Sequence, residues 1–298
     1  MSQAVVVPGF ALAPKPGARI KRRWKPTAVP LLPLLGLLSI VVSSFVAGLA
    51  AHSPQDVELG SRLKPPGSPG YLLGTDALGR DVFSRLLAGS RLSLEVATSS
   101  VLISAVVGIS LGVFAGQQGG RTDAVIMRLV EITQGIPLII IAILLAAVYG
   151  PSLQNVIVIV GLFQWPQFAR IARAQTMSLR ERQFVLASRA AGASNWLLIR
   201  RHFLPNLLSS ILILASLLAA GAIQAEAGLS FLGAGVPPPT PSWGSMVSDG
   251  RQYVTTAWWI ALFPGLAISM FVLCLNSLGD YLRDRLDPQL RRSGVSGG

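Results

Sequence analysis

Few side chains in this sequence suit bond-making chemistry, and their spacing argues against it. His52 and His202 stand far apart and Cys274 is the single cysteine, so neither a thiolate metal site nor an internal disulfide can form within the chain. No Gly-x-x-x-x-Gly-Lys-Ser/Thr segment occurs, which removes the usual backbone cradle for nucleotide phosphates. The reading is therefore of no catalytic residue, no metal site and no cofactor held by this chain. Glu131 and Glu226 border long apolar runs, where charge is expensive and finds a protein partner or water. Glu131 follows Arg128 by three residues, so an i, i+3 ion pair accounts for it. Glu226 precedes a Gly- and Pro-rich segment and is read either as locally partnered or as lining a polar vestibule.

A second kind of chemistry, recognition, is suggested by residues 170–205, which carry seven arginines. The pattern predicts a helix from about Ser178 to Ala191 and another from Asn195 to Leu204, with Gly192 as a left-handed C-terminal cap and Ser194 as an N-cap. Pro205 is expected to stop the second helix before the next apolar run. The product is a stiff elbow. Phe184, Ala187, Ser188 and Ala191 share one face, mostly of small side chains that would admit a partner's surface. Arg182, Arg189, Arg200 and Arg201 supply charge around it. The competing interpretation is a solvated basic loop.

The elements that must position these residues are membrane helices. Hydrophobic residues make up 51% of the 298 and charged residues 13%, with a mean hydropathy of +0.58, so a water-soluble enzyme is excluded. Apolar runs lie at residues 29–51, 96–115, 132–148, 153–169, 207–225 and 258–278. A bilayer span needs about 20 such residues, and in hydrocarbon each segment must satisfy its own backbone, so all six read as helices and a β-barrel is excluded. The first run is uncharged and lacks a convincing cleavage site, which makes it a retained signal anchor. The fold class is an all-α membrane protein, six transmembrane helices with a cytoplasmic helix-Gly-helix elbow.

Orientation follows from basic residues. Alternate connecting segments hold 19 Lys and Arg on one side and six on the other, placing both termini in the cytoplasm and Trp243, Trp258 and Trp259 near the outer interface. The formal net charge of +12 thus reflects loops flanking spans, not a nucleic-acid surface. The chain divides into a basic tail (1–28), a first span (29–51), an extracytoplasmic segment (52–95), a five-helix core (96–279) containing loop 173–205, and a cytoplasmic C-terminal tail (280–298). Gly108, Gly112 and Gly116 form a smooth stripe for close helix packing, either within the bundle or against a partner. Pro137, Pro166 and Pro264 interrupt apolar runs and permit kinks. In the outer segment Asp76 suits a turn and Asp81 a helix cap, with Arg80 or Arg85 available for pairing.

Ala187-Ser188-Arg189-Ala190-Ala191-Gly192-Ala193-Ser194, followed by His202-Phe203-Leu204-Pro205-Asn206, resembles the EAA coupling loop of ABC importer permeases. Leu73-Gly74-Thr75-Asp76-Ala77-Leu78-Gly79-Arg80-Asp81-Val82-Phe83-Ser84-Arg85 and Arg91-Leu92-Ser93-Leu94 are similar to the C-type permease of dipeptide, oligopeptide and nickel importers. So are Glu226-Ala227-Gly228-Leu229-Ser230-Phe231-Leu232-Gly233, Pro241-Ser242-Trp243-Gly244, Asn276-Ser277-Leu278-Gly279-Asp280 and Leu286-Asp287-Pro288. Together these cover about residues 30–290. The glutamate that names the EAA motif is replaced by Leu186, which puts one polar contact in doubt and leaves the helix, glycine and helix order intact.

The resemblance implies a MetI-like permease fold in the bacterial inner membrane and half of a translocation pathway. It also implies a heterodimeric partner permease, two ATPase subunits that hold ATP and Mg, and an extracytoplasmic substrate-binding protein. The ATPase-coupling residues would be Phe184, Ala187, Ser188, Arg189, Ala190, Ala191, Gly192, Ala193, Ser194, Arg200 and Pro205. Contacts to the binding protein or the vestibule would come from Asp76, Arg80, Asp81, Glu226, Trp243 and Gly244. Di- or oligopeptides are the expected cargo, with nickel chelates or another small solute as the alternative within the family. A self-sufficient secondary transporter is the alternative of a different class, but neither an inverted repeat nor an ion relay is evident. A membrane anchor that only recruits partners would leave the detailed outer motifs without a purpose.

Overall fold

A computed structural model describes residues 30–46 and 52–286. Its described residues are helical apart from turns and two isolated bridges, Ser68 with Tyr71 and Thr75 with Asp81. In chain order the helices are α1 (Leu31–Val46), α2 (Val82–Gln118), α3 (Gly120–Gly135), α4 (Leu138–Tyr149) and α5 (Leu153–Arg180). They continue with α6 (Gln183–Ala190), α7 (Asn195–Phe231), α8 (Trp243–Gly250) and α9 (Trp259–Leu286). The N-terminal tail, residues 47–51 and the Asp287-Pro288 motif lie outside the described residues.

Among the described residues α2, α7 and α9 are each long and apolar enough to cross a membrane. The α3–α4 pair qualifies jointly but is bent by 78°, and α1 is a shorter apolar helix. Several expected boundaries change. Asp81 caps α2 by accepting from the Phe83 and Ser84 backbone N–H groups, so this helix starts at Val82, well before the apolar run at residue 96. Its 37 residues reach about 55 Å. The stretch 117–128, which connects two of the apolar runs, is largely helix α3. It escaped a hydrophobicity reading because only Ile126 and Val130 of α3 are buried. Pro137 lies between α3 and α4, with no N–H to continue the ladder, and so makes a sharp corner. Pro166 and Pro264 remain inside α5 and α9.

The glycine stripe packs within this chain. A Cβ on Gly108, Gly112 or Gly116 would press into the Trp165, Ala169 or Arg173 backbone, so α2 and α5 approach through their main chains. Around this pair, buried side chains form cores at both ends. One joins Ile40, Val82, Ile223, Trp243, Met246, Trp259 and Phe271 from α1, α2, α7, α8 and α9. The other joins Val113, Ala172, Val185, Leu198, Phe203 and Leu207 beneath the elbow.

Candidate functional site

The elbow is built by three local devices. Helix α5 ends at Arg180, and a break at Glu181 and Arg182 precedes α6, so the single helix expected from Ser178 is two. Helix α6 ends in a Schellman motif, with the Gly192 N–H donating to the Arg189 carbonyl at 2.9 Å and the Ala193 N–H to the Ser188 carbonyl at 3.0 Å. Gly192 takes φ +83°, the left-handed value that favours glycine. Ser194 then caps α7 by accepting from the Leu197 N–H at 3.3 Å. Pro205 does not stop this helix. Residues Ile199–Phe203 widen into a π turn in which the Leu204 N–H donates to the Ile199 carbonyl. That wider turn accommodates the proline ring and its missing donor, and α7 runs on to Phe231.

Beneath the elbow, Val185, Leu198, Phe203 and Leu207 are fully buried against Val113 and Ala172. Above them Phe184, Ala187, Arg189, Ala190, Ala191, Gly192, Ser194, Arg200 and Pro205 are exposed, and Ser188 and Ala193 are half-buried. The two arms of the elbow are tied through His202. The Ser188 Oγ and His202 Nε2 lie 3.1 Å apart, the same hydroxyl donates to the Phe184 carbonyl at 2.9 Å, and the Phe184 and His202 rings are 5.5 Å apart. Sequence reasoning set His202 aside as a metal ligand, quoted it and Phe203 only within the coupling-loop string, and passed over Val185 and Leu198. Their apolar periodicity beneath the arginines was the available signal. Leu186, where the family motif has glutamate, is half exposed, and Trp196 and Leu197 are exposed as well.

The opposite end is a buried polar platform. Asp76 accepts from the Arg80 Nε at 2.7 Å and the Arg85 Nη1 at 2.5 Å, while Arg85 reaches Asp249 on α8 at 3.3 Å. Asp76, Asp81 and Arg85 are each at most 5% exposed, and the Ser84 hydroxyl donates to Asp81. Trp243 and Trp259 are buried within the protein as well. Their indole N–H groups donate to the Leu86 and Thr75 carbonyls at 2.9 and 3.0 Å, and only Trp258 of the three is exposed. Gly244 lets α8 lie directly on the backbone at Ala227.

Glu226 is fully buried and accepts from the Ser230 hydroxyl at 2.7 Å, which joins α7 to the capping box of Ser242 and Ser245. A cavity of about 460 Å³ opens beside this platform, lined among others by Arg80, Ser230, Val236, Asp249 and Tyr253. Glu131 pairs with Arg128 at 3.0 Å on an exposed face, as its spacing predicts.

The chain as a whole is similar to known proteins. Residues 108–292 match the family described as binding-protein-dependent transport system inner membrane component. The chain belongs to that family. It is 40% identical to the di/tripeptide transport system permease protein DppC of Pseudomonas aeruginosa, over 87% of this chain and 88% of that protein. It is 40% identical to the probable D,D-dipeptide transport system permease protein DdpC of Escherichia coli, over 85% of each chain. The glutathione transport system permease protein GsiD of Pectobacterium atrosepticum is 39% identical, over 87% of this chain and 86% of that one.

Among solved structures, the inward-facing MetNI methionine ABC transporter aligns with a TM-score of 0.56 at 21% identity, covering 69% of this chain and 97% of that one, which supports the MetI-like fold. The chain is thus a permease subunit of a binding-protein-dependent ABC importer, a multi-pass inner-membrane component. It works with a partner permease, an ATPase and a substrate-binding protein, and it is a transport subunit without catalysis of its own.

Proposed function

We propose that this permease forms one half of the pathway of an ATP-driven importer of short peptides, paired with a second, non-identical permease. Two ATPase subunits, which hold ATP and Mg, dock on the elbow, and the binding protein delivers cargo at the platform end. Both termini then lie in the cytoplasm with the elbow, and the chain crosses the membrane six times. Peptide is favoured as cargo because the relatives above carry peptide names.

The observation that carries this reading is the elbow's division of labour, an exposed docking face fixed to a buried anchor. ATP-driven closure of the ATPase pair would displace α6. Because Val185, Leu198, Phe203 and Leu207 pack into one cluster with α2 and α5, α6 cannot move without the bundle. Moving a two-state bundle from 1:99 to 99:1 needs about 5.5 kcal/mol of differential interaction, which a floppy loop would dissipate. The Schellman turn and the Ser188–His202 contact supply the stiffness.

At the other end, the buried Asp76, Asp81, Trp243, Gly244 and Glu226, with the half-buried Arg80, act from below, holding the exposed segment 237–240 and half-exposed Asp249 where a binding protein would rest. Gentle purification of this chain from its native membrane, with mass spectrometry of every co-purifying subunit, tests the assembly. Recovery of a second permease and P-loop ATPases is expected. A stable species without any ATPase would overturn it. Competition of labelled dipeptide uptake by unlabelled peptides, in vesicles holding that complex, tests the cargo, and absence of uptake would remove the peptide assignment.

A further inference from the structure

Helix α3 is held to the rest of the chain by few side chains. Only Ile126 and Val130 are buried on it, and Val130 packs with Trp165 and Ala169 of α5. The other tie is polar. Asp123, in the first turn of α3, receives a two-pronged contact from the Arg173 guanidinium on α5, Nε to Oδ1 and Nη2 to Oδ2, the latter at 2.5 Å. The pair is only partly open to solvent, with 30% and 16% of the Arg173 and Asp123 side chains exposed.

Two turns further on, the Arg180 Nη1 donates to the Gly116 carbonyl at 3.1 Å, next to the turn that joins α2 to α3. Both arginines lie on the last stretch of α5, and α6 begins only three residues after Arg180. Gly112 and Gly116 place this stretch against α2 with no room for a Cβ between them, so α2 and the end of α5 move as one body. Helix α3 is tied to this body by the Asp123–Arg173 fork, the small cluster around Val130 and the short turn at Gly119, whereas α4 packs on α5 through its own core around Ala142, Val156 and Val160.

We propose that Asp123 and Arg173 are positioning residues for coupling, a strut by which the elbow-bearing α2–α5 body carries α3, the first arm of the bent α3–α4 pair, during transport. This rests on the elbow being the ATPase-docking site. Arginine suits the task because its planar fork fixes direction as well as distance, which a lysine at the same place would not.

The test uses the complete transporter in proteoliposomes, with partner permease, ATPases and binding protein, and reads substrate moved per ATP hydrolysed alongside recovery of assembled complex. Arg173→Lys and Asp123→Asn are expected to assemble and hydrolyse ATP while transport per ATP falls about tenfold, an ordinary coupling magnitude. The double exchange Asp123→Arg/Arg173→Asp is expected to recover at least half of the loss. Parental coupling in assembled Arg173→Lys, or an assembled double exchange with no recovery, would overturn the strut. Failure of all three variants to assemble would also overturn it, assigning the fork to folding alone. Gly192→Val in the same vesicles separates the two claims, because parental coupling there removes the elbow reading, whereas parental coupling in the fork variants alone removes only the strut.

Discussion

The two ends of this permease use motif residues in opposite ways. At the elbow most of the patterned residues, among them Phe184, Ala187, Arg189, Gly192 and Ser194, face outward, and the hydrophobic residues Val185, Leu198 and Phe203 are buried beneath them. At the platform the patterned residues Asp76, Asp81, Arg85, Trp243 and Glu226 are the buried ones, and the surface is left to segment 237–240 and Asp249. A dense motif in a membrane protein thus has two physical origins. One is a face left open at the surface, and the other is a buried polar interior whose hydrogen bonds and ion pairs restrict substitution.

The sharpest way to break this contrast is at the platform. Asp76→Ala leaves Arg80 and Arg85 facing each other with only Asp249 to neutralise them, and removing one member of a buried pair costs about 3–5 kcal/mol. Loss of folded protein in detergent, or a large fall in the thermal midpoint, is expected, and a near-parental midpoint would mean that the platform is surface after all. Gly112→Leu should come next, since its side chain must force α2 away from the Ala169 backbone, an overpacking cost of about 1–3 kcal/mol readable by the same melt.

At the elbow the effect on stability should be smaller and the effect on coupling larger. Gly192→Val has open space around it but an unfavourable left-handed backbone, about 1–2 kcal/mol, so the complex should assemble and lose transport. Ser194→Ala removes a cap worth about 1 kcal/mol and should lower transport per ATP only modestly in the same vesicles.

The smallest effect expected is a pH dependence in the segment between α1 and α2. The Tyr71 hydroxyl donates to Glu58 at 2.5 Å and holds that carboxyl below its ordinary value of 4.5. A lowered folded-state pKa contributes stability above the ordinary value and loses it as pH falls through the folded one. Tyr71→Phe should therefore lower the melting midpoint slightly at neutral pH, and the difference from the parent should close as pH drops below about 4.5.

Much of the elbow was legible because its signals are local. A glycine that must be left-handed and a serine that can cap both act within a few residues. The family likeness was legible in the same way, from short strings at separated places. What sequence concealed were properties set by packing across the fold. Helix α3 reads as a loop because it buries only two side chains, and α2 starts early because Asp81 caps a segment that is not yet apolar. Pro205 looked like a stop and lies in a helix, because the π turn before it makes room. The platform residues carried charge and aromatic rings, and nothing in their types distinguished a buried network from an exposed contact surface. Their partners lie up to 184 residues away, as Trp259 and Thr75 do.

The central claim, that the elbow converts ATPase motion into transport, is tested most directly by substrate moved per ATP hydrolysed in proteoliposomes carrying the complete importer with Gly192→Val. The account predicts an assembled complex that still hydrolyses ATP and moves little substrate. Transport per ATP at the parental value in that assembled complex would contradict it.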